Sequence, residues 1–311
     1  MPPVVRIAWV RNVVGGEVSV GSGTIISAQG HILTAAHIVY ELADARREQL
    51  LSGKRKRTDD NCMSNREAED YLLLVGEAPP NDSPEAVLPR WKWIAVVVEG
   101  QENSARDVLV EVRQQRAGET TKVYRDLLLL KITHELPYDT AVFDGDVLHQ
   151  QIRQDGLTPV SYSGPYLKMC GPEIEKFGPR KFNARRLKMI GFEGGVNGQF
   201  IEQNITSCTV ANYSDEKKCG QLVFTGLVDQ GYSGNAILLD NQLVAVVIGF
   251  VPDSWNASIA TVVRALTEKE RKDVGQPDDE GSSTAAAAAP VGRRRRPARR
   301  SRPRRLRRRP S

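Results

Sequence analysis

Short apolar runs, punctuated by glycine, proline and charge, dominate the first 265 residues and predict β-strands rather than helices. Val4–Val10, Val18–Ser27 and Ile32 up to His37 come first, with Gln29-Gly30 as the turn between the last two. Residues 41–92 break this pattern. Glu41 to Lys56 is charged and helix-compatible, Lys54-Arg55-Lys56-Arg57 closes it, and Pro79-Pro80-Asn81-Asp82-Ser83-Pro84 is loop. This stretch is expected to be an insertion with a helix and a surface loop. Trp91–Val98, Asp107–Val112 and Leu127–Ile132 resume the strand pattern and complete a first barrel. Residues 133–155 are expected to cross to a second barrel over about 156–265. Leu187 to Gly195 forms one of its strands and a glycine-rich turn.

Three segments carry candidate chemistry. Thr34-Ala35-Ala36-His37 ends a strand in small residues and an imidazole. Arg125-Asp126 heads the buried-strand run Leu127-Leu128-Leu129-Leu130, and an acid at such a lip, partly desolvated, needs a donor such as an imidazole N–H. Gln230-Gly231-Tyr232-Ser233-Gly234-Asn235-Ala236 places a serine between glycines, which permits a sharp turn and close backbone approach. Such a turn can aim the Gly231 and Ser233 N–H groups at one point, where a developing oxyanion would sit. Each segment alone is weak: a strand-end Asp in solvent and a plain glycine-rich turn are the blander explanations. Together they supply the three parts of an activated serine, namely nucleophile, base and orienting carboxylate.

The order His37, Asp126, Ser233 is the chymotrypsin-like one and differs from the subtilisin and α/β-hydrolase orders. Gly21-Ser22-Gly23-Thr24-Ile25-Ile26 through His37, Asp126 to Lys131, and Gly231-Tyr232-Ser233-Gly234 resemble the three motif blocks of trypsin-like serine proteases, closest to the HtrA/Deg-type branch, over roughly residues 3–265. The resemblance implies an all-β fold of two six-stranded Greek-key barrels with the active site between them. It implies a serine endopeptidase in which Ser233 attacks, His37 is the base, Asp126 orients His37, and Gly231 and Ser233 form the oxyanion hole. It places the floor of the specificity pocket at Leu227, with Gly249 and Phe250 on the wall that binds substrate, hence an apolar P1 preference. The sequence departs from the family at Tyr232, where zymogen-activated relatives carry Asp, so no trypsinogen-style activation is expected. It also departs at Asn235-Ala236, which replace Gly-Pro; a Cβ at residue 235 would crowd the turn if φ there were positive. A catalytically degenerate barrel acting as a binding module therefore stays open as the alternative.

Charge changes the picture at one end. Residues 293–309 contain twelve Arg and no acid, so removing them from a net +5 leaves the rest of the chain at −7. With Gly275 to Pro290 as linker, this stretch cannot bury a core and is expected to be disordered and to bind nucleic acid or another polyanion. The expected domains are 1–150, 151–267 and a tail, 268–311. No stretch approaches the ~20 apolar residues of a membrane span, and no signal-peptide layout precedes Val4, which favours a cytoplasmic or nuclear protein. The four cysteines (Cys62, Cys170, Cys208, Cys219) form no C-x-x-C pair, so neither metal nor other cofactor is expected. Cys208 and Cys219 could bridge a hairpin, although reduced thiols are the simpler expectation. His31, His134 and His149 are expected to be structural.

Overall fold

The computed structural model describes residues 3–11, 18–39, 71–78, 89–98, 126–140, 157–170, 187–196, 198–214, 219–225, 231–250, 257–262 and 268–275. Within them the chain is all-β apart from short helical segments, as its strand-length apolar runs dictate. The first sheet contains β1 (Val4–Arg11), β2 (Val18–Ile25), β3 (His31–Ala35), β4 (Tyr71–Glu77), β5 (Arg90–Val97), β6 (Leu127–Thr140) and β7 (Thr158–Pro159). Its order is β3-β2-β1-β4-β5-β6-β7, and β3 also pairs with β6. That last pairing closes β1 to β6 into a six-stranded barrel, which removes its edges; β7 is added outside.

The second sheet contains β8 (Leu187–Phe192), β9 (Phe200–Ile205), β10 (Cys208–Ser214), β11 (Cys219–Thr225), β12 (Ala236–Leu239), β13 (Gln242–Phe250) and β14 (Ala257–Val262). The antiparallel order is β10-β11-β14-β13-β12-β8-β9. Laid flat, seven strands would separate the outer two by about 29 Å at ~4.8 Å per step. Yet β9 and β10 are joined by Thr206 and Ser207 alone, a link reaching roughly 10 Å. The sheet must therefore roll round, and the Thr225 N–H donates to the Ser207 carbonyl at that corner. This is the two-barrel chymotrypsin fold, with a seven-stranded second sheet in place of the expected six strands. The β12–β13 hairpin turns on Asp240-Asn241, both at positive φ (50° and 64°), the type I′ geometry that two-residue hairpins favour.

Alternation along each strand sorts the core. Val5, Ile7 and Trp9 point into the first barrel with Ile32, Leu128 and Leu130. Leu187, Met189, Ile237 and Val244 fill the second. Val4, Leu33, Leu127 and Leu129 face the other way and pack against Ile190, Phe192, Ala236 and Val246, so the barrels share an apolar interface. The helix Glu268–Asp273 leads into Val274, which is buried in that same interface.

Three sequence expectations change. Tyr71–Glu77 lies inside the expected insertion yet is a barrel strand between β1 and β5. Strand β6 runs to Thr140 instead of ending at Ile132, because Glu135 and Thr140 pair with Trp93 and Trp91 across bulges that break the alternation. Cys208 pairs with Phe224 and Cys219 with Ser214, at opposite ends of the β10–β11 hairpin, which rules out a bridge between them. Cys208 is a buried thiol whose pKa burial pushes up to about 11. The expected strand Asp107–Val112, His149, Cys62 and the Arg-rich stretch lie outside the described residues.

Candidate active site

The site forms where β3, the start of β6 and the turn before β12 converge. Strand β3 ends at Ala35, and His37 begins a helical turn. Leu127 pairs with Ala35, so the residue before it, Asp126, stands beside His37. The Asp126 carboxylate accepts twice from that histidine: from the His37 backbone N–H at Oδ1 (3.1 Å) and at Oδ2 from ring Nδ1 (2.8 Å). Asp126 is buried and sits at φ +37°, a left-handed conformation that Asp tolerates and that backbone constraint must hold. Its carbonyl accepts from the Ala36 N–H at 3.3 Å, which supplies part of that constraint. With Nδ1–H held by the carboxylate, Nε2 is left as an acceptor, and it lies 2.7 Å from Ser233 Oγ.

The Ser233 turn comes from the second barrel and is tied to the first. The Ser22 N–H donates to the Ser233 carbonyl at 2.7 Å. Ser22 Oγ accepts from the Phe192 N–H at 3.2 Å, and the Ser22 carbonyl accepts from Thr34 Oγ1 at 2.6 Å. The flanking glycines have a physical reason. Gly231 (φ +93°) and Gly234 (φ +86°) both lie in the left-handed region, and a Cβ would overlap the Gly194 carbonyl at the first and the Ser22 carbonyl at the second. Asn235 is not at positive φ, which removes the expected crowding. Its Oδ1 instead accepts from the Phe192 N–H at 3.0 Å, so the residue at the position where a glycine was expected holds the turn to β8.

Tyr232 uses its polar end. Its hydroxyl donates to Glu193 Oε2 at 2.8 Å, on the turn between β8 and β9. Arg6 is a residue the sequence analysis passed over. Its guanidinium is wholly buried and donates to the carbonyls of Gly231 (3.0 Å), Gly194 and Gly195. Burial lowers its pKa to about 10, so it remains a cation at neutral pH. The available signal was one cation in the otherwise apolar run Val4 to Val10. Ser22 and Thr34 were passed over as well, inside segments quoted for other reasons.

The expected substrate-binding residues are placed in part. The last β12–β13 pair is Ala236↔Val246, and the Val247 N–H and carbonyl bond to Asn235 and Gly234. Gly249 and the backbone of Phe250 continue past that point, paired on their other side with Ile259 and Ser258 of β14. Leu227 and the Phe250 side chain lie outside the described residues. His31 is buried 2.7 Å from Ser27 Oγ, and His134 Nδ1 lies 3.0 Å from Thr133 Oγ1. Neither joins the site. No group of three or more metal-ligating side chains occurs among the described residues.

No protein-family model matches the sequence, and no curated protein matches it. Solved structures do resemble it. The Rv3671c protease of M. tuberculosis in its active form is 17% identical over 89% of this chain and 82% of that one, with a TM-score of 0.40. An inactive form of the same protease is 16% identical over 88% and 89%, with a TM-score of 0.38. The HtrA-type protease AlgW, solved with a tripeptide, is 14% identical over 85% of this chain and 57% of that one, with a TM-score of 0.41.

Proposed function

We propose that this protein is a serine endopeptidase. One observation carries the reading: a continuous hydrogen-bond chain links Asp126, His37 and Ser233 across both barrels at 2.8 and 2.7 Å. Ser233 Oγ attacks the scissile carbonyl carbon while its proton passes to His37 Nε2. Asp126 keeps the other ring proton on Nδ1 and stabilises the imidazolium. The carbonyl oxygen becomes an oxyanion and takes the Gly231 and Ser233 N–H groups as donors. Collapse of this intermediate breaks the C–N bond. His37 returns its proton to the leaving amine, and water, deprotonated by the same imidazole, hydrolyses the acyl-enzyme.

The backbone at Gly249 and Phe250 offers the substrate an extended edge to pair with, and Leu227 makes the pocket apolar, favouring an apolar P1 side chain. No metal or other cofactor is called for by this chemistry. The Arg-rich stretch 293–309 binds nucleic acid or another polyanion and sets where the enzyme works, in the cytoplasm or nucleus. No helix among the described residues is long and apolar enough to cross a membrane.

Labelling with a fluorophosphonate probe tests the reading. The parent should label, and Ser233→Ala and His37→Ala should not. Their kcat on peptides should fall ~10⁴–10⁶-fold, as for loss of a triad member. A folded parent that resists the probe would replace the peptidase with a binding module on a degenerate barrel.

A further inference from the structure

Arg6 lies on the outward face of β1, beside Val4, Ala8 and Val10, all buried. An apolar side chain would fill such a position without cost. A guanidinium there is stripped of water, a penalty of several kcal/mol unless its N–H groups are satisfied. Its acceptors among the described residues are three backbone carbonyls, and all belong to the second barrel: Gly231, Gly194 and Gly195. The first opens the nucleophile turn and the other two form the β8–β9 turn. The two turns also touch directly, since a Cβ at Gly231 would strike the Gly194 oxygen and stand 2.8 Å from Arg6 Nη2. The Tyr232–Glu193 bond ties them a second time. The planar fork of arginine suits this task, because one group can hold carbonyls from two segments at fixed angles.

On these grounds, and resting on the peptidase reading, we propose that Arg6 is a positioning residue: it clamps the Gly231–Ser233 turn to the β8–β9 turn, so that the Gly231 and Ser233 N–H groups are already aimed at the oxyanion. The barrel thus carries a built-in cation at the turn, where Tyr232 provides no carboxylate for a freed chain terminus. Arg6 touches no reacting atom and acts through the backbone.

The test uses the full chain with Arg6→Met, which keeps much of the volume but no donor, and Arg6→Lys, which keeps charge but not the fork. Peptide hydrolysis and hydrogen exchange are both measured. In Arg6→Met, kcat should fall about 10²–10³-fold, the effect of losing one oxyanion-hole donor, with KM near the parent's. Arg6→Lys should fall in between. Exchange should rise in segments 193–199 and 231–235 and stay unchanged in β3 and β6. Folded variants with parental kcat and exchange would overturn the proposal, and so would exchange that rises uniformly, which marks a stability role alone. If Arg6→Met does not fold, Arg6→Lys decides by the same criteria. If the parent itself hydrolyses nothing, the peptidase reading falls, and the exchange pattern still decides whether Arg6 holds the two turns.

Discussion

Two buried side chains with ionisable groups, close to the same strands, show how differently a fold uses them. Arg6 keeps its charge at neutral pH, since burial lowers its pKa only to about 10, and three carbonyls accept from its Nη atoms. His31 is held neutral: burial lowers its pKa from 6.5, the Lys131 charge lowers it further, and Asp273 opposes both. The consequence for stability has a definite sign. Below pH 6.5 the unfolded chain protonates this histidine more readily than the folded one, so stability falls as pH drops through that window. Above 6.5 the group contributes no slope. Replacing His31 by Asn, which retains a polar partner for Ser27 Oγ, should flatten the decline of Tm between about pH 6.5 and 5 relative to the parent. Parallel Tm curves for parent and variant across that range would show that His31 titrates alike in both states. The catalytic candidates were legible at this scale because triad chemistry demands particular residue types in a particular order. Arg6 and Ser22 were not, because their roles run through backbone carbonyls and N–H groups that any sequence possesses.

Among elements, strands with clean alternation or unbroken apolar runs could be located from the sequence, as β1, β2, β3 and β8 were. The failures share one cause. Strand β4 sits among charged and proline-rich neighbours, and β6 continues through His134-Glu135 with bulges against β5, so pairing, not pattern, decides both. The assignment of β4 has an energetic consequence. Leu74 is fully buried with Trp91, Ile94 and Leu136, so Leu74→Ala should cost about 2–5 kcal/mol by denaturant unfolding, the usual range for a buried Leu. A loss under ~0.5 kcal/mol would be that of a surface decoration and would remove β4 from the barrel. The same logic explains Asn235, whose substitution for glycine looked harmful in sequence. In the fold the positive φ falls one residue earlier, at Gly234, and the amide side chain braces β8 instead.

At the scale of the whole molecule, the described residues all fall in a first part of the chain, Met1–Asp278, and a second part, Asp279–Ser311, lies outside them. His37, Asp126 and Ser233, the candidate triad, fall in the first, while the twelve-Arg stretch 293–309 falls in the second. If chemistry and localisation are separable, a chain ending at Asp278 should hydrolyse peptides with unchanged kcat and KM. The full chain should bind a fluorescent DNA or RNA oligonucleotide with an affinity that falls steeply with salt, by ~0.9 in log–log slope for each phosphate neutralised on duplex DNA. No aromatic side chain interleaves these arginines, so purine and pyrimidine strands of equal length should bind alike, stacking being what discriminates bases in single strands. The shortened chain loses twelve Arg together with Asp279 and Glu280, which takes the net charge from +5 to −5, and should lose binding altogether. Loss of hydrolysis on truncation would make 279–311 part of the catalytic unit. Salt-insensitive binding would mean that recognition is not carried by phosphate contacts at all, and would move the search for the partner's site onto the barrels.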